Sequence, residues 1–208
     1  MKEVCAVFSD GPVVRLLDLA VSVRDSAGRL SLDAELRRYV RLVRGDAVAQ
    51  WNCSAYAAAG ALEAAADGLG EAPAAFREKA VRAAGDADPA EFLRTLAESL
   101  RENDRAGAAE FSELPMEGWE FLRTFPLLFG LDAILMDEPG PVGATVRTLL
   151  DNEHPFCTAL AAGYAGEAQR ARVLFPGADG LRPRLSWAAR DALLAITATV
   201  DDHMRREH

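Results

Sequence analysis

Apolar residues recur every three to four positions along most of the chain, which is the spacing of one face of an α-helix. Val13, Leu16, Leu17, Ala20 and Val23 form the first such stripe. Residues typical of helix starts precede the stripes at Asp10, Ser31, Asp46, Asp88 and Ser186. The pattern predicts an all-α fold, a bundle of about nine helices whose short turns place neighbours antiparallel or orthogonal.

The most apolar run extends from Met116 to Met136, with Pro126 inside it. Because proline removes a backbone donor and clashes with the preceding turn, we expect a kink or two separate helices there. Bulky residues of this run and of the final helix are expected to lie in the core: Phe121, Phe125, Leu128, Phe129, Ile134, Leu193, Leu194 and Ile196. The length of 208 residues predicts one helical domain, spanning residues 1–208.

Composition and charge narrow the classes of partner. Half of the residues are hydrophobic and 26% are charged, which is typical of a globular protein. The net charge of −9 argues against nucleic acid and anionic membranes, since both attract basic surfaces. A small-molecule substrate or a basic protein partner fits better, and a homodimer is left open.

The cysteines and the apolar segments predict a compartment. Cys5, Cys53 and Cys157 are widely spaced without a CxxC pair, which is typical of reduced thiols. The first residues lack the apolar core of a signal peptide, and no apolar stretch is long enough to cross a bilayer. These features predict a cytoplasmic protein.

His154 is the sharpest catalytic candidate. It precedes Pro155, which favours a first helical position, so we expect His154 beside a helix start where the dipole keeps its imidazole neutral. Asp137 and Glu138 follow the most apolar helix in a proline-rich turn and could serve as general acid or base. The structural alternatives are a capping histidine and two solvated acids.

Aromatic and polar residues predict where a substrate would bind. Trp51, Asn52 and Tyr56 cluster on an alanine-rich helix, and Tyr164 lies on the helix predicted to follow His154. They could line a pocket, or they could form hydrogen bonds between helices. Cys157 lies three residues after His154, close enough for a thiolate–imidazole pair, although a buried structural thiol is the alternative.

No metal or cofactor is predicted. Asp201, Asp202, His203, Glu207 and His208 have the right chemical types for metal ligands, but their spacing is not that of a known site. Four arginines form a basic stripe that either grips an anion or lies on a solvated face: Arg37, Arg38, Arg41 and Arg44.

Two main hypotheses follow for the function, beside a third, a helical scaffold subunit that acts only by association. The first is a cofactor-independent lyase, isomerase or cyclase that uses His154 with Asp137 or Glu138 on a small organic substrate in an apolar pocket. The second is an acidic helical binding protein of the immunity or inhibitor type, which neutralises a basic protein partner.

Overall fold

A computed structural model describes residue 8 and residues 11–45, 53–177 and 180–208 of the chain. Within those ranges the chain forms ten α-helices, one short 3₁₀ helix and no strand, which confirms the all-α prediction. Contacts divide the chain into two compact units, Met1–Met116 and Glu117–His208. Because two compact units can belong to one domain or to two, the single domain stays a prediction.

The first unit contains five described α-helices. They are α1 (Pro12–Asp25), α2 (Leu32–Arg44), α3 (Ala55–Asp67), α4 (Ala74–Ala84) and α5 (Pro89–Ala106), with a 3₁₀ turn at Leu69–Glu71. Helix α3 packs along α5, α1 packs on α4, and α2 packs on α5. Alanines fill the buried face of α3, and these small side chains let α5 approach closely.

The starts of these helices follow local side-chain chemistry where the structure describes them. Asp88 accepts a hydrogen bond from the Glu91 amide at 2.9 Å, and Ser54 accepts one from the Ala57 amide at 3.2 Å. Ser31 occupies the expected N-cap position of α2 without a side-chain hydrogen bond. The predicted starts at Asp10 and Asp46 lie outside the described residues.

The arginine stripe on α2 binds another segment of its own unit. Arg38 Nε donates to the Pro115 carbonyl at 3.0 Å, and Arg41 Nη1 donates to the Ala109 and Leu114 carbonyls at 3.1 and 2.7 Å. Arg38 also pairs with buried Glu35 at 2.7 Å. The stripe is therefore used to hold the segment after α5 against α2.

The second unit contains the other five helices. They are α6 (Gly118–Thr124), α7 (Pro126–Asp137), α8 (Val142–Glu153), α9 (Thr158–Leu174) and α10 (Arg190–Glu207). The predicted interruption at Pro126 is present, since α6 ends at Thr124 and Pro126 is the first residue of α7. Helix α10 packs against both α8 and α9.

Five of the eight predicted core residues are buried, and three are not. Phe121, Phe125, Leu128, Leu193 and Ile196 are at most 1% exposed. Phe129 is 45% exposed and Leu194 39% exposed, so their predicted burial is wrong, and Ile134 is only partly buried. The reason is geometric: α7 buries the single stripe Leu128, Leu131 and Leu135, and Phe129 falls beside it.

The last helix begins later than predicted. Its first residue is Arg190, and Ser186 instead bonds to Asp132, donating from its hydroxyl at 2.9 Å and from its amide at 2.8 Å. Ser186 thus anchors the loop before α10 to α7. None of the described helices combines the length and the apolar character needed to cross a membrane.

Candidate metal centre

The three predicted catalytic residues are not brought together by the helices that carry them. Asp137 ends α7 and Glu138 follows it, both before the first residue of α8, whereas His154 comes directly after the last residue of α8. A helix of 12 residues is about 18 Å long. The two acids and His154 therefore lie at opposite ends of α8.

The predicted substrate-binding residues are only partly described. Trp51 and Asn52 lie outside the described residues. Tyr56, in the first unit, is 71% exposed, while Tyr164 is buried in the second unit. Burial raises the pKa of Tyr164, and the nearby Glu167 carboxylate adds to the increase, so the phenol stays protonated near neutral pH.

Glu167 has a structural role beside Tyr164. Its carboxylate accepts hydrogen bonds from the amides of Leu127 and Leu128, at 3.2 and 2.9 Å, at the start of α7. Burial raises the pKa of Glu167, and these two bonds oppose the increase. The residue therefore caps a neighbouring helix.

His154 ends one helix rather than starting the next. It occupies the C-cap of α8 in extended backbone conformation, and α9 begins only at Thr158. Cys157 is the N-cap residue of α9 and is fully buried. The turn between α8 and α9 thus presents an imidazole and a thiol within four residues of each other.

Helix α10 brings two further histidines to this turn. His203 lies on the last turns of α10 and is fully buried, and His208 follows the end of the helix and is exposed. A close approach of α8 and α10 sets this position. A Cβ on Gly143 of α8 would lie 2.8 Å from Thr199 Oγ1, so glycine at that position favours the close approach of the two helices.

Four metal-binding side chains converge at the junction of α8, α9 and α10. Cys157 Sγ lies 3.2 Å from His203 Nε2 and 3.2 Å from His208 Nε2. The ring of His154 lies 5.0 Å from that of His208 and 6.1 Å from that of His203, between centroids. One ligand atom from each of the four residues falls within 4.8 Å of the others.

Asp151 orients the buried histidine. Its Oδ1 lies 3.0 Å from His203 Nδ1, on the side of the ring away from Cys157, although the angle is not that of a well-aligned hydrogen bond. A carboxylate in this position favours a hydrogen on Nδ1 and leaves the Nε2 lone pair facing Sγ. Carboxylate–histidine pairs of this kind are common behind metal-bound imidazoles.

The two sulfur–nitrogen distances are close to that of tetrahedral zinc. With Zn–S near 2.3 Å and Zn–N near 2.05 Å, tetrahedral angles separate sulfur and nitrogen by about 3.5 Å. Both described Sγ–Nε2 distances are 3.2 Å. A thiol has a single hydrogen and cannot donate to both rings, whereas a cation would accept a lone pair from each of the four groups.

The residues of this site lie in two separate parts of the sequence. His154 and Cys157 are neighbours along the chain, and His203 and His208 are ligand types, yet their spacing does not predict a metal site. The missing signal is that the chain has only three histidines and that each lies within a few residues of Cys157 or of another histidine. The convergence of all three with one cysteine depends on the packing of α10 on α8 and α9.

Comparison with known proteins adds no family to this description: no family model, no curated protein and no solved structure matches the chain.

Proposed function

We propose that this chain is a zinc-binding protein that holds one ion through His154, Cys157, His203 and His208. The observation that carries the proposal is the convergence of four ligand atoms within 4.8 Å of one another. One thiolate and three imidazoles are ligands that zinc prefers in proteins. Small rotations of the exposed His154 and His208 would equalise the distances.

The proposed ion has a structural role. Four protein donors complete a tetrahedron, as in structural zinc sites, whereas catalytic sites keep a position for water or substrate. The ligands come from the α8–α9 turn and from the end of α10, so the ion would fix the last helix of the chain to two earlier ones. A ligand thiol must be reduced, which agrees with the cytoplasmic location proposed from the cysteine pattern.

The sequence-based hypotheses of an acid–base enzyme and of an acidic binding protein stay predictions. The separation of Asp137 and Glu138 from His154 along α8 does not favour the first. If the proposed site is correct, the His154 lone pair belongs to the metal and is not free to take a proton from a substrate.

The test begins with full-length protein stripped of metal by a chelator and titrated with Zn²⁺ against a chromophoric competitor. One equivalent should bind. Co²⁺ should bind at the same stoichiometry and give the visible absorption of a tetrahedral ion together with a thiolate-to-cobalt charge-transfer band. Failure to bind one equivalent, or a cobalt complex without the thiolate band, would refute the proposal.

A matched pair of cysteine variants locates the site. Cys157→Ser should abolish the charge-transfer band and weaken zinc binding by more than about 100-fold, since replacing a group behind a ligand already costs about 10- to 100-fold. Cys53→Ser is the control, because Cys53 lies in the first unit and burial raises the pKa of its thiol. Equal losses in the two variants would contradict the assignment.

His208→Gln provides a variant that does not disturb the core. His208 is exposed and follows the last residue of α10, so the fold should be retained. Its zinc affinity should fall while the circular dichroism of the metal-free protein is unchanged. An unchanged affinity would remove His208 from the ligand set and leave three donors.

A further inference from the structure

A second site lies at the opposite end of the α9–α10 pair from the metal centre. Cys157 precedes the first residue of α9, and His203 lies near the end of α10. A cavity of about 280 Å³ is lined instead by Arg172, near the end of α9, and by Arg190, the first residue of α10. Fifteen residues of helix separate Cys157 from Arg172, or about 22 Å.

The polar part of the cavity is cationic. Arg172, Arg190 and Gln169 line it, and none of its lining residues in the described part of the chain is acidic. Arg172 Nε is buried and has no hydrogen-bond partner among the described residues. Two guanidinium groups facing one cavity are unusual in a chain with a net charge of −9, where acids are abundant.

The start of α10 adds to the positive potential. Arg190 is its first residue, Asp191 is the acid of its first turn and does not line the cavity, and Ala189 at the N-cap supplies no side-chain acceptor for the first amides of this 18-residue helix. The first amides of a helix and its dipole both favour an anion at this end. The helix start and the two arginines therefore favour the same sign of ligand.

The remaining wall is apolar, and its aromatic part is held in place. Phe175, Val173 and Leu193 line it. The Phe175 ring packs on Phe121 and Phe125, with centroids 6.4 and 6.3 Å away. A Cβ on Gly180 would lie 2.7 Å from Phe175 Cδ1, so glycine at that position allows the ring its place in the wall.

We propose that this cavity binds a small monocarboxylate with an aromatic or branched aliphatic body. The carboxylate would pair with Arg172 and Arg190, since guanidinium and carboxylate match in charge and in planar geometry. The apolar body would contact Phe175, Val173 and Leu193. The volume exceeds the roughly 150 Å³ that holds a benzene ring and lies near the lower end of small-molecule pockets, about 300 Å³.

Phenylacetate is the probe, and calorimetric titration of the full-length protein is the measurement. The acid should bind, and phenylacetamide, which has the same shape without the charge, should bind at least about tenfold more weakly. Inorganic phosphate should also bind more weakly, because it lacks the apolar body. The proposal would be overturned if phenylacetamide or phosphate bound as tightly as phenylacetate. It would also be overturned if phenylacetate did not bind at a concentration on the order of 10 mM, where even a weak affinity is detected.

A matched pair of arginine variants on α9 tests the position. Arg172→Gln should weaken phenylacetate binding at least about tenfold. Arg170→Gln removes the same charge two residues away, at an exposed position that does not line the cavity, and should leave binding unchanged. Arg190→Gln, at an exposed position, should act like Arg172→Gln. Equal loss in Arg170→Gln and Arg172→Gln would indicate a nonspecific charge effect and refute the site.

The outcome is independent of the metal centre. Phenylacetate affinity should be the same in Cys157→Ser as in the parent chain, because the two sites lie at opposite ends of α9 and α10. Loss of phenylacetate binding in that variant would contradict the separate location of the cavity.

Discussion

Helix α2 in the first unit and the proposed metal centre in the second each bring several polar side chains together. They differ in how those side chains find partners. On α2 each donor meets an acceptor: Arg38 pairs with Glu35, and Arg41 donates to two backbone carbonyls. At the proposed metal centre the thiol sulfur and the imidazole nitrogens face one another, and each can offer a lone pair.

The difference shows how a chain satisfies buried polar groups. Glu35 and Arg38 are almost fully buried, and their charges are compensated within the first unit. Cys157 and His203 are equally buried, and the thiol and three imidazoles that meet there all have lone pairs. These are ligand types that zinc prefers, so the proposed ion would complete the second arrangement from outside the chain.

The largest expected effect comes from breaking the buried ion pair between Arg38 and Glu35 on α2. Arg38→Met should lower the free energy of unfolding by about 3–5 kcal/mol, because the buried Glu35 carboxylate loses its ion pair with Arg38. Urea unfolding followed by circular dichroism measures this loss. Arg37→Met is the control: its pair with Glu113 is exposed, so the loss should be much smaller. Equal losses in the two variants would show that the buried pair is not special.

Binding of the proposed zinc ion should stabilise the second unit. With free Zn²⁺ at 100 times its Kd, the free energy of unfolding should rise by about 2.7 kcal/mol, because the ion binds only the folded centre. Hydrogen exchange should report new protection near the α8–α9 turn and the end of α10, and none on α2. The increase should vanish in Cys157→Ser, and protection spread evenly over both units would contradict a local site.

A smaller effect is expected from the carboxylate behind the centre. Asp151→Asn should lower zinc affinity by about 10- to 100-fold, because a neutral amide favours the hydrogen on His203 Nδ1 less strongly than a carboxylate does. Glu153→Gln removes a charge two residues away, where no contact with His203 is described, and serves as the control. Should both variants lose the same affinity, the effect of Asp151 would be one of net charge rather than of orientation.

The sequence predicts the helices well where their signals are local. Asp88 and Pro89 begin α5 as expected, and Pro126 separates α6 from α7, since both effects act within a few residues. The final helix fails for the opposite reason. Ser186 has a capping side chain, but Asp132, which lies 54 residues earlier, receives its hydrogen bonds.

The candidate site could be predicted only in part, because its assembly is tertiary. His203 and His208 are five residues apart, and on a continuous helix this spacing turns their side chains about 140° apart. Both nevertheless lie 3.2 Å from Cys157 Sγ through their Nε2 atoms. No periodicity within the sequence expresses that convergence, nor the contact between α8 and α10 at Gly143.

The smallest expected effect concerns the Phe111 ring, which packs against Arg41 of α2. Arg41 Cζ lies 4.0 Å from the centroid of the Phe111 ring, close enough for a cation–π contact. Phe111→Leu keeps an apolar side chain but removes the ring, so the free energy of unfolding should fall by about 0.5–1 kcal/mol. A double-mutant cycle with Arg41→Gln separates this contact from the two carbonyl bonds of Arg41. A coupling energy of zero would show that the Phe111 ring packs on the Arg41 guanidinium without a cation–π contribution. The contacts of α2 would then be stabilised by its hydrogen bonds and ion pairs alone.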